Sequence, residues 1–279
     1  MSTSPMPMKP ALLLPKGLEP VRSRPQRIIA AVRGNAKEGK TAFALDFPEP
    51  VVIFNFDYGY ESAATYVLSK HPGKKLYHFD MPTTEDMSTA EYAALVRTFL
   101  SKYVECLTYC DSLGGTVVVD TASDLWRIVQ EAILGPIKEK VPPGKYMSQF
   151  EYGKANLVMA AILRRPFHFN NVNAVFVHRN KQVYDGPNPV PGKYEGRWFD
   201  DTPAIVEYVF DMFEDGNDKK IKARIEVCRP DRTLRGTVLT NPTHALVWGM
   251  VGPGEEEESP PTPISEQLIP IDGTEDLAL

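Results

Sequence analysis

Long apolar runs are missing from this chain of 279 residues. No stretch approaches the roughly 20 apolar residues of a membrane span, and Met1 to Pro10 lacks the apolar core of a signal peptide. These absences predict a soluble intracellular protein without membrane contact. Cysteine is equally scarce. Cys106 and Cys110 stand four apart on an expected helix and Cys228 falls in an expected strand, with no metal-ligand spacing among the three. They read as small buried or half-buried apolar residues. Lys and Arg are absent from Pro253 onward, where Glu255, Glu256, Glu257, Glu258, Glu266, Asp272, Glu275 and Asp276 all fall. Of 36 acids in the chain those eight lie in the tail, leaving 28 against 31 cations, so a formal net charge of -5 divides into a body at +3 and an acidic end. Arg22, Arg24, Arg27 and Arg33 give that body cations that could meet nucleic acid, although so small an excess does not decide the matter.

What is present organises as one α/β domain with tails. At 43% hydrophobic residues the composition is ordinary for a globular core. Met1 to Pro25 is rich in Pro and Ser, and Gly252 to Pro263 combines a Glu run with prolines, so both ends are expected to be flexible. The expected division is an N-terminal arm over 1–25, a domain over 26–250 and an acidic disordered tail over 251–279. The tail could solubilise, dock a protein partner, or compete with DNA for a basic groove, and solvation is the commonest fate of a charge block. Ala11-Leu12-Leu13-Leu14 reads either as a tether onto a neighbouring subunit or as local packing.

One segment carries explicit chemistry. Gly34-Asn35-Ala36-Lys37-Glu38-Gly39-Lys40-Thr41 fits G-x-x-x-x-G-K-[ST], with the apolar run Arg27 to Val32 before it and a helix-compatible run Thr41 to Phe47 after it, stopped by Pro48. Gly34 and Gly39 let the backbone curl so that successive N–H groups face phosphate oxygens at a helix N-terminus. Lys40 then reaches the β- and γ-phosphates, and Thr41 offers a hydroxyl to the bridging magnesium. Strand before and helix after predict nucleoside triphosphate binding rather than a chance match.

A second segment supports it. Thr116-Val117-Val118-Val119-Asp120 is a β-branched run that follows Gly114-Gly115 and ends in an acid, as a central parallel strand would. Asp120 is the candidate metal-supporting carboxylate beside the loop. Its alternative is to cap the helix that begins near Ser123, but Ser123 is itself available as a cap.

Elsewhere strand and helix alternate. Strands are expected at 51–56 and 75–79, a long helix from about Thr89 to Cys110, a helix from about Asp124 to Leu134, a loop over 135–144, a helix from about Gln149 to Arg164, and a strand at 174–177. After Gly186 the pattern turns β-rich, with strands expected over 205–213, 221–228 and 237–239.

With these residues placed, the chain resembles the RecA-type P-loop ATPases, and within them the phage nucleotide-binding proteins grouped with single-strand annealing proteins. The resemblance covers about 26–211 and is carried by Gly34 to Thr41, by Phe56-Asp57-Tyr58-Gly59-Tyr60-Glu61, by Val117 to Asp120 with Thr121, Ser123, Leu125 and Trp126, by Tyr152-Gly153-Lys154-Ala155-Asn156, and by Val177-His178-Arg179-Asn180. It implies a RecA-like core with a mainly parallel sheet, ATP and magnesium as ligands, and Lys40, Thr41 and Asp120 as their holders. It also implies a sensor at His178 and Arg179, where a strand end would feel the γ-phosphate, against the plain reading of a surface or satisfied buried histidine. RecA proteins place a water-orienting Glu two residues after the Asp that ends the second strand, and here Gly59 stands there. Asp57 and Glu61 are the nearest carboxylates and the two candidates for that work, with Glu61 alternatively serving only as the acid that begins the next helix.

The same resemblance implies single-stranded DNA as a partner and a ring or filament of identical subunits with ATP between them. Two segments have the interleaved cations and aromatics that hold single strands. One contains Lys138, Lys140, Lys145 and Tyr146; the other contains Lys181, Tyr184, Lys193, Tyr194, Arg197 and Trp198. The competing reading is a surface loop or hairpin with Tyr194 and Trp198 packed on the sheet. Arg179, Lys181 or Arg197 could also act across a subunit boundary. The reading is thus an ATP-binding, ATP-hydrolysing protein of phage recombination or replication, cytoplasmic in a bacterial host, stimulated by DNA and dependent on magnesium. A nucleotide-gated binding module without turnover, a helicase loader and a P-loop kinase are the alternatives.

Overall fold

The computed structural model describes residues 27–84, 86–138 and 149–252. The expected N-terminal arm, the expected tail from residue 253 on, Lys140, Lys145 and Tyr146 lie outside the described residues, while Val251, assigned to that tail, closes the last described helix. Among the described residues no helix is long and apolar enough to cross a membrane.

The chain runs in order through Ile29–Gly34 (β1), Lys40–Leu45 (α1), Val51–Asn55 (β2), Tyr60–Lys70 (α2), Leu76–Asp80 (β3), Thr89–Asp111 (α3) and Thr116–Asp120 (β4). It continues through Ala122–Lys138 (α4), Gly153–Arg164 (α5), Asn173–Asp185 (β5), Asn188–Arg197 (β6), Thr202–Ile205 (α6), Tyr208–Glu214 (β7), Ile221–Cys228 (β8), Val238–Thr240 (β9) and His244–Val251 (α7). The described strands form one sheet in the order β3-β2-β4-β5-β1-β7-β8-β9, with β6 paired to β5. Strands β3 through β7 along that path pair in parallel, while β8, β9 and β6 join antiparallel. The fold is therefore α/β with a mainly parallel central sheet and a β-rich finish.

Side-chain alternation explains how the sheet is covered. Every residue of β1, β2 and β4 is buried, which is why each reads as an unbroken apolar run rather than an alternating one. Ile29, Ala31, Val52, Phe54, Val117, Val119 and Phe176 face α3, α4 and α5. Their neighbours Ala30, Val32, Ile53, Val118, Val175 and Val177 face α1, α2 and α7. Helix α3 starts where Ser88 and Glu91 cap each other reciprocally.

Four expectations differ from the structure. Helix α4 passes through Gly135 and Pro136 to Lys138, beyond the expected loop start. The strand expected from Ile205 begins at Tyr208, because Thr202–Ile205 forms a turn of helix with Pro203 in its first turn, where a missing N–H costs nothing. The strand expected at 174–177 runs on to Asp185 and returns as β6, so the segment from Lys181 is largely a β-hairpin. Arg33, counted among the cations for nucleic acid, is only 7% exposed.

Candidate phosphate-binding site

Strand β1 delivers Gly34 at the C-terminal edge of the sheet, and the chain turns through Lys37 at φ 67 and Gly39 at φ 76 before α1 begins at Lys40. Alternation of ordinary and left-handed residues points successive N–H groups to one side, the geometry of an anion nest. Gly34 is required by close approach, since a Cβ there would lie 2.6 Å from the Met212 carbonyl oxygen. Within the loop, the Asn35 N–H donates to the Glu38 carboxylate and the Asn35 side-chain amide donates to it at 3.1 Å. The Lys40 ammonium donates to the Asn35 carbonyl. Burial lowers the Lys40 pKa, opposed first by the nearby Glu38 charge.

Asp120 comes to this loop from β4. Val118 faces α1, so Asp120 two residues on faces it as well, and the Thr41 hydroxyl donates to Asp120 Oδ2 at 2.7 Å. Asp120 is 2% exposed, and burial pushes its carboxyl up to about 6, against the pull of Thr41, Lys40 and Arg179 and with Asp57 adding to the rise. Its carboxylate is engaged with Thr41. The cap of α4 is supplied instead by Thr121, whose hydroxyl accepts from the Asp124 N–H at 3.2 Å and donates to the Asp124 carboxylate at 2.7 Å.

Ser123 is not that cap. Its hydroxyl accepts from the Arg179 N–H at 3.0 Å and donates to the Arg197 carbonyl, which stitches the two strands of the hairpin to the first turn of α4. The Arg179 guanidinium lies 3.2 Å from Asp57 Oδ2 and 3.0 Å from Asp124 Oδ2. Asp57 Oδ1 accepts from the Gly59 N–H at 3.0 Å. Glu61 is exposed on the first turn of α2.

His178 precedes Arg179 on the interior strand β5 and faces away from α1, on the opposite face from Val177. It is fully buried, edge-on to Trp198 with ring centroids 5.5 Å apart, and burial lowers its pKa to about 3. Neither ring nitrogen meets a partner at bonding geometry, although the nearby Arg197 backbone opposes the shift. Trp198 is half-buried against the core, while Lys181, Lys193, Tyr194 and Arg197 are exposed. Lys181 pairs with Glu195 across the hairpin at 3.1 Å, and Lys138 pairs with Glu131 at 2.7 Å.

Sequence reasoning missed two residues, one directly before the loop and one in register with Asp120. Arg33, immediately before Gly34, is held bidentately by Glu226 at 2.6 and 2.8 Å, by Asp211 at 3.1 Å and by Asn180 at 3.0 Å, which commits its charge inside the protein. Asn55 ends β2 at 1% exposure, in register with Asp120 on one side and Asp80 on the other. An acid or amide at the end of an apolar strand was the available signal for Asn55. No local pattern marks Arg33 as buried.

Fold and loop together define an α/β protein in which a strand leads through a glycine loop of the G-x-x-x-x-G-K-[ST] pattern into a helix, with a buried carboxylate against the loop's last hydroxyl. No family model matches the chain, and no curated protein matches it in sequence. Among solved structures the chain is similar to the one titled "Crystal structure of the RadB recombinase", at 13% identity and a TM-score of 0.44, over 78% of this chain and 87% of that one. A likeness at that level assigns this chain neither a family nor an activity.

Proposed function

We propose that this chain is a RecA-like P-loop ATPase that binds ATP with magnesium at Gly34 to Thr41 and acts on single-stranded DNA, by annealing or strand exchange, in phage recombination or replication. The observation that carries the nucleotide reading is the Thr41 to Asp120 contact at 2.7 Å at the end of a loop of the phosphate-binding pattern. One strand, β5, separates the loop strand from the Asp120 strand, so the β5 residue paired with Gly34, where its parallel pairing ends and the hairpin begins, borders both. Arg179 is that residue.

The residues fit a divalent cation. The Thr41 hydroxyl and the Asp120 carboxylate already touch, and a carboxyl held up to about 6 by burial is one that a cation would drive to its ionised form. Thr41 would hold the ion directly and Asp120 would support it, and when bound the ion would neutralise charge on the phosphate oxygens. Lys40, now on the Asn35 carbonyl, would turn to the β- and γ-phosphates. Asp57 is favoured over Glu61 to orient water, since Arg179 joins Asp57 to Asp124 in the first turn of α4 while Glu61 is exposed on α2. His178 is fully buried away from the loop, which leaves Arg179 as the member of the sensor pair with charge to offer phosphate or a neighbouring subunit.

The DNA reading rests on exposed residues of the β5–β6 hairpin, Lys181, Lys193, Tyr194 and Arg197, rather than on Trp198; register puts Lys181 and Arg197 on one face and Tyr194 on the other. Identical subunits in a ring or filament, a protein partner at the acidic tail and the domain limits at 26 and 250 belong to the same proposal.

A second reading is favoured by one contact. Arg179 occupies the Asp57 carboxylate at 3.2 Å, and a base held by a guanidinium is not free to orient water. On that reading the chain is a nucleotide-gated module with little turnover. Phosphate release from ATP and magnesium, with and without single-stranded DNA, separates the two. The ATPase reading expects stimulation by DNA; bound nucleotide with no release under either condition overturns it and leaves the gated module.

A further inference from the structure

Asn55 is an unusual residue for its place. It is 1% exposed on β2, the Asn side chain is costly to bury unsatisfied, and only half of it is satisfied within the protein. Its Nδ2 donates to Asp80 Oδ1 at 2.8 Å, while its Oδ1 meets no donor. Because an amide carries its oxygen and nitrogen on divergent bonds, the hold of Asp80 on the nitrogen turns the oxygen away from Asp80. Register places Asp80, Asn55 and Asp120 in one row across three adjacent parallel strands. Paired residues on neighbouring strands share a face, and Ile53 two residues earlier puts that face toward α1. The free carbonyl oxygen thus lies on the face of the sheet that carries Asp120 and Thr41.

Two carboxylates flank this amide, yet the residue between them is neutral. A third carboxylate in the row would repel both neighbours, whereas a neutral acceptor can receive a hydrogen bond without adding charge. Asp80 in turn sits half-exposed at the end of β3, where its cost as an ion is small, and it fixes the amide's orientation from outside the site.

Resting on the nucleotide reading above, we infer that Asn55 is a positioning residue for the cation at Thr41 and Asp120: its carbonyl oxygen accepts from a water in the coordination shell of the nucleotide-bound divalent ion, and Asp80 holds the amide in the orientation that allows it. Partners one step out from a metal typically change its affinity by about 10- to 100-fold when removed.

The test uses manganese as the ion, read by electron paramagnetic resonance as free Mn²⁺ in the presence of saturating non-hydrolysable ATP analogue, with the full chain. Asn55→Leu and Asp80→Ala are each expected to weaken Mn²⁺ binding by about tenfold, while analogue binding in EDTA stays at the native level. Asp80→Asn keeps an acceptor for Nδ2 and is expected to bind Mn²⁺ like the native chain. Should Asn55→Leu fail to fold, Asp80→Ala, an exposed substitution, decides. Native Mn²⁺ affinity in a folded Asn55→Leu or in Asp80→Ala overturns the inference, and so does an equal loss in Asp80→Asn and Asp80→Ala. If the native chain binds no analogue even in EDTA, the phosphate-loop reading itself has failed and the inference falls with it.

Discussion

The Thr41 hydroxyl donates to Asp120 Oδ2 at 2.7 Å, across 79 residues of sequence, and joins the end of the glycine loop to the end of a different strand. This contact leaves a carboxylate inside the protein with one hydroxyl partner and no cation paired to it at salt-bridge distance among the described residues. Burial, working against the pull of the Thr41 hydroxyl, gives a carboxyl that keeps its proton up to about pH 6.

That preference has a sign. The folded state holds the Asp120 proton more tightly than the unfolded chain, whose carboxyl has the ordinary value of 3.8, so Asp120 adds stability below about pH 4 and loses it as pH rises to about 6. The loss is on the order of 3 kcal/mol. Asp120→Asn is therefore expected to raise the melting temperature of the nucleotide-free protein at pH 7.5 by several degrees and to flatten its rise between pH 7 and pH 4. Thermal melts of both proteins across that range check it, and a native-like pH dependence in the variant contradicts it.

Ser123 joins Arg179 of β5 to Arg197 of β6 through one hydroxyl. Ser123→Ala leaves a backbone donor and a backbone acceptor unpaired, at a cost of about 1 to 3 kcal/mol. Amide exchange read by NMR should accelerate at Arg179 and along the hairpin while the β1 and β4 amides keep their protection. Uniform acceleration across all strands would mean that the hydroxyl serves the core rather than the hairpin.

Arg33 is held by Glu226, Asp211 and Asn180 directly before the loop. Removing it strands two carboxylates, so Arg33→Ala is expected to destabilise by about 3 to 5 kcal/mol. Arg33→Lys should recover only part, because an ammonium cannot bind Glu226 bidentately. Urea denaturation measures both, and full recovery by Lys would contradict the bidentate account.

On the hairpin, Lys193→Ala and Arg197→Ala should each weaken single-stranded DNA binding and reduce the salt dependence of affinity by about 0.7 per cation removed. Glu195 pairs with Lys181 at 3.1 Å and competes with phosphate for it, so Glu195→Ala should tighten binding. Fluorescence anisotropy of a labelled oligonucleotide at several salt concentrations reads all three. Unchanged slopes would remove the hairpin from the DNA surface.

The parts that sequence reveals are those set by local chemistry or by burial on both faces. Gly34 to Thr41 is legible because its glycines, lysine and threonine must stand at fixed spacing, and β4 because Val117 to Val119 are apolar on both faces of a central strand. The hairpin is poorly legible for the opposite reason: beyond Arg179 both faces of β5 and β6 are largely polar, and Pro189, Pro191 and Gly192 resemble loop residues. Helix α7 gave no signal either, since Val247 and Val251 are its buried residues in a stretch apolar nearly throughout, which hides any periodicity. The partners of Arg33 and Asn55 were illegible because they come from β3, β5, β7 and β8, and only the sheet's register brings those together.

The central claim is that Gly34 to Thr41 binds the phosphates of a nucleotide, and titration of a fluorescent ATP analogue with magnesium into the native chain and into Lys40→Ala tests it most directly. Saturable binding by the native chain, with a loss of about tenfold or more in Lys40→Ala for one charge-assisted contact, is the predicted result. No saturable binding, or equal binding by a folded Lys40→Ala, would contradict it.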